Sequence, residues 1–167
     1  MMKVKIKRLH KNAVIPKYAN VGDAGMDLTA VSVWGDEYGN VCYGTGLAFE
    51  IPEGYVGLVF ARSSNCKTNL DLSNAVGVID SGYRGEVTLK FRITHNVSSY
   101  IQFLWQRYIT KRNPLNVRIN TLGFNRYEVG DRVGQIIILP YPSIEFEEVE
   151  ELSKTERGKG GYGSTGK

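Results

Sequence analysis

Arg157 and the glycine-rich run GKGGYGSTGK that follows it carry the most readable chemistry in the chain. Glycines let several backbone N–H groups converge on one anion, Ser164 and Thr165 add hydroxyl donors, and Arg157 adds a fixed charge, so this segment suits a phosphate. Gly161 to Lys167 also meets the spacing G-x-x-x-x-G-K of a nucleotide-binding loop, without the hydroxyl residue and helix that complete that motif. A second candidate is Asp80 in VIDSGYRG: a carboxylate within reach of a water can orient and deprotonate it for attack, although Asp80 before Ser81 and Gly82 reads equally well as a turn residue. Cys42 and Cys66 stand far apart with no CxxC spacing and only His10 and His95 to assist them, which argues against zinc. Spacing alone leaves a disulfide between them open, but ordinary packed or surface thiols are the expectation for a cytosolic chain.

Short elements must position these groups. Alternating or apolar runs recur between Gly, Pro, Asn and Asp punctuation: residues 4–9, 39–50, 55–60, 86–93, 135–140 and 144–149. No apolar stripe persists at helical spacing, and the 19 glycines break most windows where one would start. The pattern predicts an all-β chain, with a sandwich, jelly roll or small barrel left open. One short helical turn is expected after Arg62, with Ser63 and Ser64 as its N-cap residues.

The 167 residues fit one domain with one substantial core. Apolar runs such as Ile136 to Leu139 are far too short to span a bilayer, and the opening MMKVKIKRLH reads as a first strand and not as a secretory signal, so a soluble cytoplasmic protein is expected. A net charge of +4 does not by itself indicate nucleic acid. Its distribution is more telling: from His95 to Leu122 there is no acidic residue, and Arg107, Lys111, Arg112 and Arg118 are interleaved with Tyr100, Phe103, Trp105 and Tyr108. The sign then reverses at Glu145, Glu147, Glu148, Glu150 and Glu151. Residues 153–167 contain five glycines and almost no apolar side chains, as a mobile arm would.

With these stretches in hand, the chain resembles the trimeric dUTP pyrophosphatases. DAGMDLTA at 23–30, PEGYVGLVFARSS at 52–64, NAVGVIDSGYRGEV at 74–87, GDRVGQIIILP at 130–140 and the glycine-rich arm are similar to that family's five motifs, in the family's order. The resemblance implies a jelly-roll-like distorted β-barrel over residues 1–152, with one short helix. It also implies a flexible arm over 153–167 that closes on the active site, and a homotrimer with sites shared between subunits. It implies hydrolysis of dUTP to dUMP and pyrophosphate, which limits uracil incorporation into DNA and supplies dUMP for dTMP synthesis.

By the same resemblance, Asp80 is the base that activates water against the α-phosphorus. Tyr83 lies against the deoxyribose and rejects a 2′-hydroxyl. Asn74 and Gly77 belong to the hairpin whose backbone imitates a pairing partner for uracil, so that cytosine would leave buried groups unpaired. Arg62, Ser63 and Ser64, with Ser64 replacing the family's glycine, and Gln135 bind phosphates, whereas Asp131 and Arg132 could equally form a structural ion pair. Asp27, preceded by Met26 where an aromatic is usual, holds Mg2+ through water. Tyr162 covers the uracil, and Arg157, Gly160, Gly161, Gly163, Ser164 and Thr165 enclose the phosphates.

Between Asp80 and Gln135 the chain is longer than common family members by about two dozen residues, and the excess falls at about 95–122, where some bacteriophage members carry an insertion. Two readings follow for this insert: an elaborated surface hairpin, since long loops are tolerated cheaply, or a docking surface for a macromolecule. The nearest rival enzyme is a dCTP deaminase of the same fold, which has Trp-Glu where this chain has Tyr83-Arg84; a regulatory protein acting through the insert is the rival from another class.

Overall fold

A computed structural model describes residues 2–94 and 125–161. The insert at 95–122, together with Tyr162, Gly163, Ser164 and Thr165, lies outside the described residues. Among the described residues ten strands follow in chain order: β1 (Lys5–Arg8), β2 (Met26–Thr29), β3 (Ser32–Gly35), β4 (Val41–Gly44), β5 (Leu47–Glu50), β6 (Tyr55–Phe60), β7 (Leu70–Leu72), β8 (Val76–Ile79), β9 (Thr88–Ile93) and β10 (Arg132–Pro140). All pairings are antiparallel, in two four-stranded sheets ordered β2-β10-β6-β8 and β3-β4-β9-β7 and a ribbon β1-β5. Sheet neighbours come from distant parts of the chain, which is the jelly-roll-like arrangement expected.

The core lies between the sheets. Leu28, Tyr43, Leu47, Leu89, Phe91, Val133 and Ile136 are all at 0–1% exposure. Tyr43 meets Phe91 edge-on at 5.6 Å between ring centroids and Tyr127 at 6.0 Å, and its hydroxyl donates to the Tyr127 carbonyl at 3.0 Å. That partner is what a buried phenol requires; burial also pushes the Tyr43 hydroxyl up to about 12. β10 runs through the middle of its sheet, and Gly134 is required there: a Cβ would fall 2.9 Å from the Phe60 carbonyl and into the Leu89 side chain.

The strand at 55–60 is found as predicted, while the run 39–50 divides into β4 and β5. The break is at Thr45 and Gly46, where Gly46 takes φ +66, a backbone state that disfavours other side chains. The alternating run at 144–149 forms no strand; Ile144 is 67% exposed and Phe146 93%. Alternation there has no sheet of this chain behind it. The helical turn after Arg62 is a 3₁₀ helix over Ser63–Lys67, and here too the expectation needs correcting: Arg62 is the N-cap, without a side-chain cap hydrogen bond, and the two serines lie within the helix. Both cysteines are free thiols, Cys42 buried and Cys66 exposed; burial raises the Cys42 thiol above its ordinary range.

The β3–β4 hairpin closes on Asp36, whose Oδ1 accepts the backbone N–H groups of Tyr38 at 3.1 Å and Asn40 at 2.8 Å. The Asn40 side-chain amide, above all, with the Asn40 backbone N–H, Lys90 and Tyr38, holds this carboxyl down from 3.8 to about 2. A folded-state value below the unfolded one means that the contribution to stability is complete above the unfolded value and disappears as pH falls through the folded one. Asp36→Ala is therefore expected to lower the urea midpoint at neutral pH, with the deficit shrinking between about pH 4 and pH 2. A deficit that stays constant over that window would show that the carboxylate charge has no part in it.

Candidate active site

The residues singled out in the sequence fall mainly into two groups on one sheet. The first is built by β2, β10 and the end of β6. Register opposes Gln135 on β10 to Asp27 on one side and to Phe60 on the other, so Arg62, two residues beyond Phe60, reaches the same place. Arg62 Nε donates to Asp27 Oδ1 at 2.7 Å, and Arg132 Nη1 donates to Asp27 Oδ2 at 3.0 Å. Arg62 also donates to Ser64 Oγ at 3.3 Å. Gln135 lies against Gly25: a Cβ there would be 2.7 Å from the Gln135 side-chain oxygen. Ser63 is exposed at the start of the 3₁₀ helix.

The structure thus brings Asp27, Arg62, Ser64 and Gln135 together and adds Arg132. The reading of Arg132 with Asp131 as an ion pair is corrected: Asp131 instead accepts the Glu128 backbone N–H at 2.7 Å, and Arg132 turns to Asp27. Only the β2–β10 register, with Arg132 opposite Thr29 and a bulge before Gly134, could have revealed this pairing. Two guanidinium groups around one carboxylate leave the cluster with a net positive charge. With Asp27 and Arg62 only about one quarter exposed (25% and 24%), water screens that charge incompletely.

The second group lies on β8 and the turn leading to β9. Asn74 and Gly77 line a cleft of about 360 Å³ with Val59, Leu72 and Thr88. Asp80 and Tyr83 line an adjoining cleft of about 430 Å³ with Trp34, Glu86 and Lys90. Val78, Ile79, Val87, Thr88 and Lys90 border both, so the two clefts share one wall built on β8 and β9. Its backbone is held in unusual states. Ala75 takes φ 58, Val76 N donates to Asn74 O at 2.6 Å, and Tyr83 N donates to Asp80 O at 3.0 Å, closing a four-residue turn. Apolar walls with a few fixed polar groups and one carboxylate suit a nucleoside held beside a reacting centre. Glu86 stands within the 74–87 motif but was given no role there, and Trp34 and Lys90 were not found from sequence, because neither lies in a motif that indicates this cleft unless the sheet order is known.

Two intervening strands, β10 and β6, separate β2 from β8, which at ordinary strand spacing is about 14 Å. Asp27, Arg62 and Gln135 border neither cleft. Arg157 and Gly160 close a separate turn, with Gly161 following it: Gly160 N donates to Arg157 O, and Arg157 Nε to Gly160 O, both at 3.0 Å. Among the described residues no hydrogen bond ties that turn to Asp27, Arg62 or Asp80. Nor is any group of three or more His, Cys, Asp or Glu side chains placed to hold a metal ion, and no helix is long and apolar enough to cross a membrane.

The dUTPase family matches residues 11–102 and 112–166. The break falls inside the basic aromatic stretch. Among curated relatives, the deoxyuridine 5′-triphosphate nucleotidohydrolase of Dictyoglomus turgidum is 34% identical over 99% of both chains. That of Corynebacterium glutamicum is 37% identical over 98% of this chain and 95% of its own. Among solved structures, a mutant dUTPase of Staphylococcus bacteriophage 80alpha with dUpNHpp superposes with a TM-score of 0.73 at 28% identity, covering 99% of each chain. A mutant from phage phi11 of S. aureus, described with a structural Mg(II) ion, gives 0.65 at 26% identity over 90% of this chain and 98% of its own. The chain belongs to the dUTPase family.

Proposed function

We infer that this protein is a dUTP diphosphatase, cleaving dUTP to dUMP and pyrophosphate by attack of water on the α-phosphorus. Removing dUTP limits uracil incorporation into DNA, and the dUMP formed feeds dTMP synthesis. The observation that carries the reading is the pair of adjoining clefts on β8, with Asn74 and Gly77 in one and Asp80 with Tyr83 in the other. The uracil edge pairs with backbone groups near Asn74 and Gly77, where an exchange to cytosine leaves buried donors and acceptors unmatched. The sugar meets Tyr83, and Asp80 accepts the proton of the attacking water. Tyr83-Arg84 in place of Trp-Glu disfavours the deaminase reading.

Arg62, Ser63, Ser64 and Gln135 bind the phosphates. Asp27 fits magnesium held through water: its two oxygens already accept from Arg62 and Arg132, and their remaining lone pairs suit water ligands better than a bare ion beside two cations. When bound, magnesium supplies positive charge to the phosphate oxygens and orients them for displacement.

That Asp27, Arg62 and Gln135 border neither cleft within one copy supports sites shared between copies in a homotrimer, with the phosphate cluster of one copy completing the nucleoside cleft of another. The exposed Ile144, Phe146, Val149 and Leu152 suit a segment lying on a neighbouring copy. On this reading residues 1–152 are the β domain, and residues 153–167 are the arm whose Tyr162, Gly163, Ser164 and Thr165 close over the nucleotide, in the cytoplasm, or in the host's cytoplasm for a phage protein. For the basic aromatic stretch at 95–122 the proposal is a macromolecular partner, with an elaborated hairpin as the other reading.

The test is pyrophosphate release by the full chain from dUTP, dCTP, dTTP and UTP, with magnesium and then with a chelator. Release from dUTP alone, abolished by the chelator, is expected. A folded trimer that releases none would favour a regulatory protein acting through 95–122 instead.

A further inference from the structure

Tyr83 is half-exposed in the cleft and has no neighbouring strand to fix its ring, yet rejecting a 2′-hydroxyl demands a ring held to within a fraction of an ångström. Its fixation comes from three residues downstream. The Tyr83 hydroxyl donates to the Glu86 carbonyl at 3.1 Å, and the ring lies directly over Gly85, where a Cβ would be 2.6 Å from Cζ. The tyrosine is therefore only as well placed as the Glu86 peptide.

That peptide is clamped to the turn between β4 and β5. Glu86 Oε1 accepts the Gly46 backbone N–H at 2.7 Å. Beside it, Val87 O accepts Thr45 Oγ1 at 2.7 Å and Thr45 N at 3.3 Å, and Val87 N donates to Leu47 O at 2.9 Å. The carboxylate is the sole side-chain link upstream of Val87 in this clamp, and space is kept for it: a Cβ at Gly44 would be 2.6 Å from Glu86 Oε1. Glu86 makes no other hydrogen bond and no ion pair with its side chain among the described residues, so the Gly46 N–H is what orients it.

We propose that Glu86 is a positioning residue for sugar selection: by anchoring its own peptide to Gly46, it fixes the Tyr83 ring at the distance that admits hydrogen and excludes hydroxyl at the 2′ carbon. The inference rests on the reading of Tyr83 as the sugar-facing ring. Loss of the anchor lets the ring retreat and so relaxes discrimination, whereas a general loosening of the fold would depress both substrates together.

The experiment compares kcat/KM for dUTP and UTP in the magnesium-loaded full chain for wild type, Glu86→Ala, Glu86→Gln and Tyr83→Phe. Glu86→Ala is expected to lower the dUTP-to-UTP ratio by about tenfold or more, through a relative gain on UTP. Glu86→Gln, whose amide oxygen can still accept from Gly46, should keep the ratio within about twofold of wild type. Tyr83→Phe, which removes only the hydroxyl anchored on Glu86, should shift the ratio in the same direction as Glu86→Ala, and it decides the matter if Glu86→Ala does not fold. An unchanged ratio in a folded Glu86→Ala, or in Tyr83→Phe should the alanine variant be unfolded, overturns the inference. A wild type that does not prefer dUTP to UTP overturns instead the reading on which it rests.

Discussion

Asp80→Asn is expected to lower kcat for dUTP by about 10²–10⁴ while leaving the affinity for a non-hydrolysable analogue such as dUpNHpp nearly unchanged. Asparagine keeps the size and one acceptor oxygen of aspartate, so the turn closed by the Tyr83 N–H on the Asp80 carbonyl, a backbone bond, survives the exchange. Nothing in the packing of the cleft changes either, since Asp80 makes no side-chain hydrogen bond to another described residue. What the amide lacks is the ability to take a proton from water. Single-turnover hydrolysis, read against equilibrium binding, separates the two. A variant that keeps more than about a tenth of wild-type kcat would remove Asp80 from the role of base. A variant that loses binding as well would mean that the carboxylate shapes the cleft.

Removing residues 157–167 is expected to reduce kcat/KM by about 10²–10³, in the range reported for losing preorganised donors to a developing anion, with no fall in the thermal midpoint. The reasoning is that stability and activity reside in different parts of this chain. No residue beyond Ile138 belongs to the described core or packs against it. The described hydrogen bonds of the arm are local, such as Gly158 N to Thr155 O at 3.1 Å, and stabilise only its own turn. Among the described residues, deletion therefore removes Arg157, Gly158, Gly160 and Gly161 without opening a cavity or stranding a buried polar group. Scanning calorimetry beside a pyrophosphate assay decides the matter. A lowered midpoint would make the arm a structural element, and full activity without it would leave phosphate binding to Arg62, Ser64 and Gln135 alone.

The cleft proposed for the nucleoside was the most legible part of the site because Asn74, Gly77, Asp80 and Tyr83 are close in sequence, and one strand with its flanking turns carries them all. The cluster proposed for the phosphates was legible only as separate residues. Asp27, Arg62 and Gln135 could be nominated, but Arg132 could not be joined to them without knowing that β2 and β10 are neighbours, and pairing between strands 105 residues apart leaves no local trace. The same physics governs the elements. The six-residue strand Tyr55–Phe60 shows enough alternation to be seen, whereas β2, β3, β7 and β8, at three or four residues, are shorter than any window that tests periodicity. The stretch 144–149 errs the other way. Its alternation is genuine, but a strand also requires a partner edge and an apolar surface, and the described part of this chain offers it neither.

Asp27 between Arg62 and Arg132 has a consequence for how this sequence can change over time. Each of the three side chains balances charge for the others, so a lineage that loses the carboxylate is left with two adjacent cations, and one that loses either arginine alters both the electrostatic field and the posture of Asp27. Substitutions at any two of these positions are therefore expected to be coupled and not additive, although the three lie far apart in the gene.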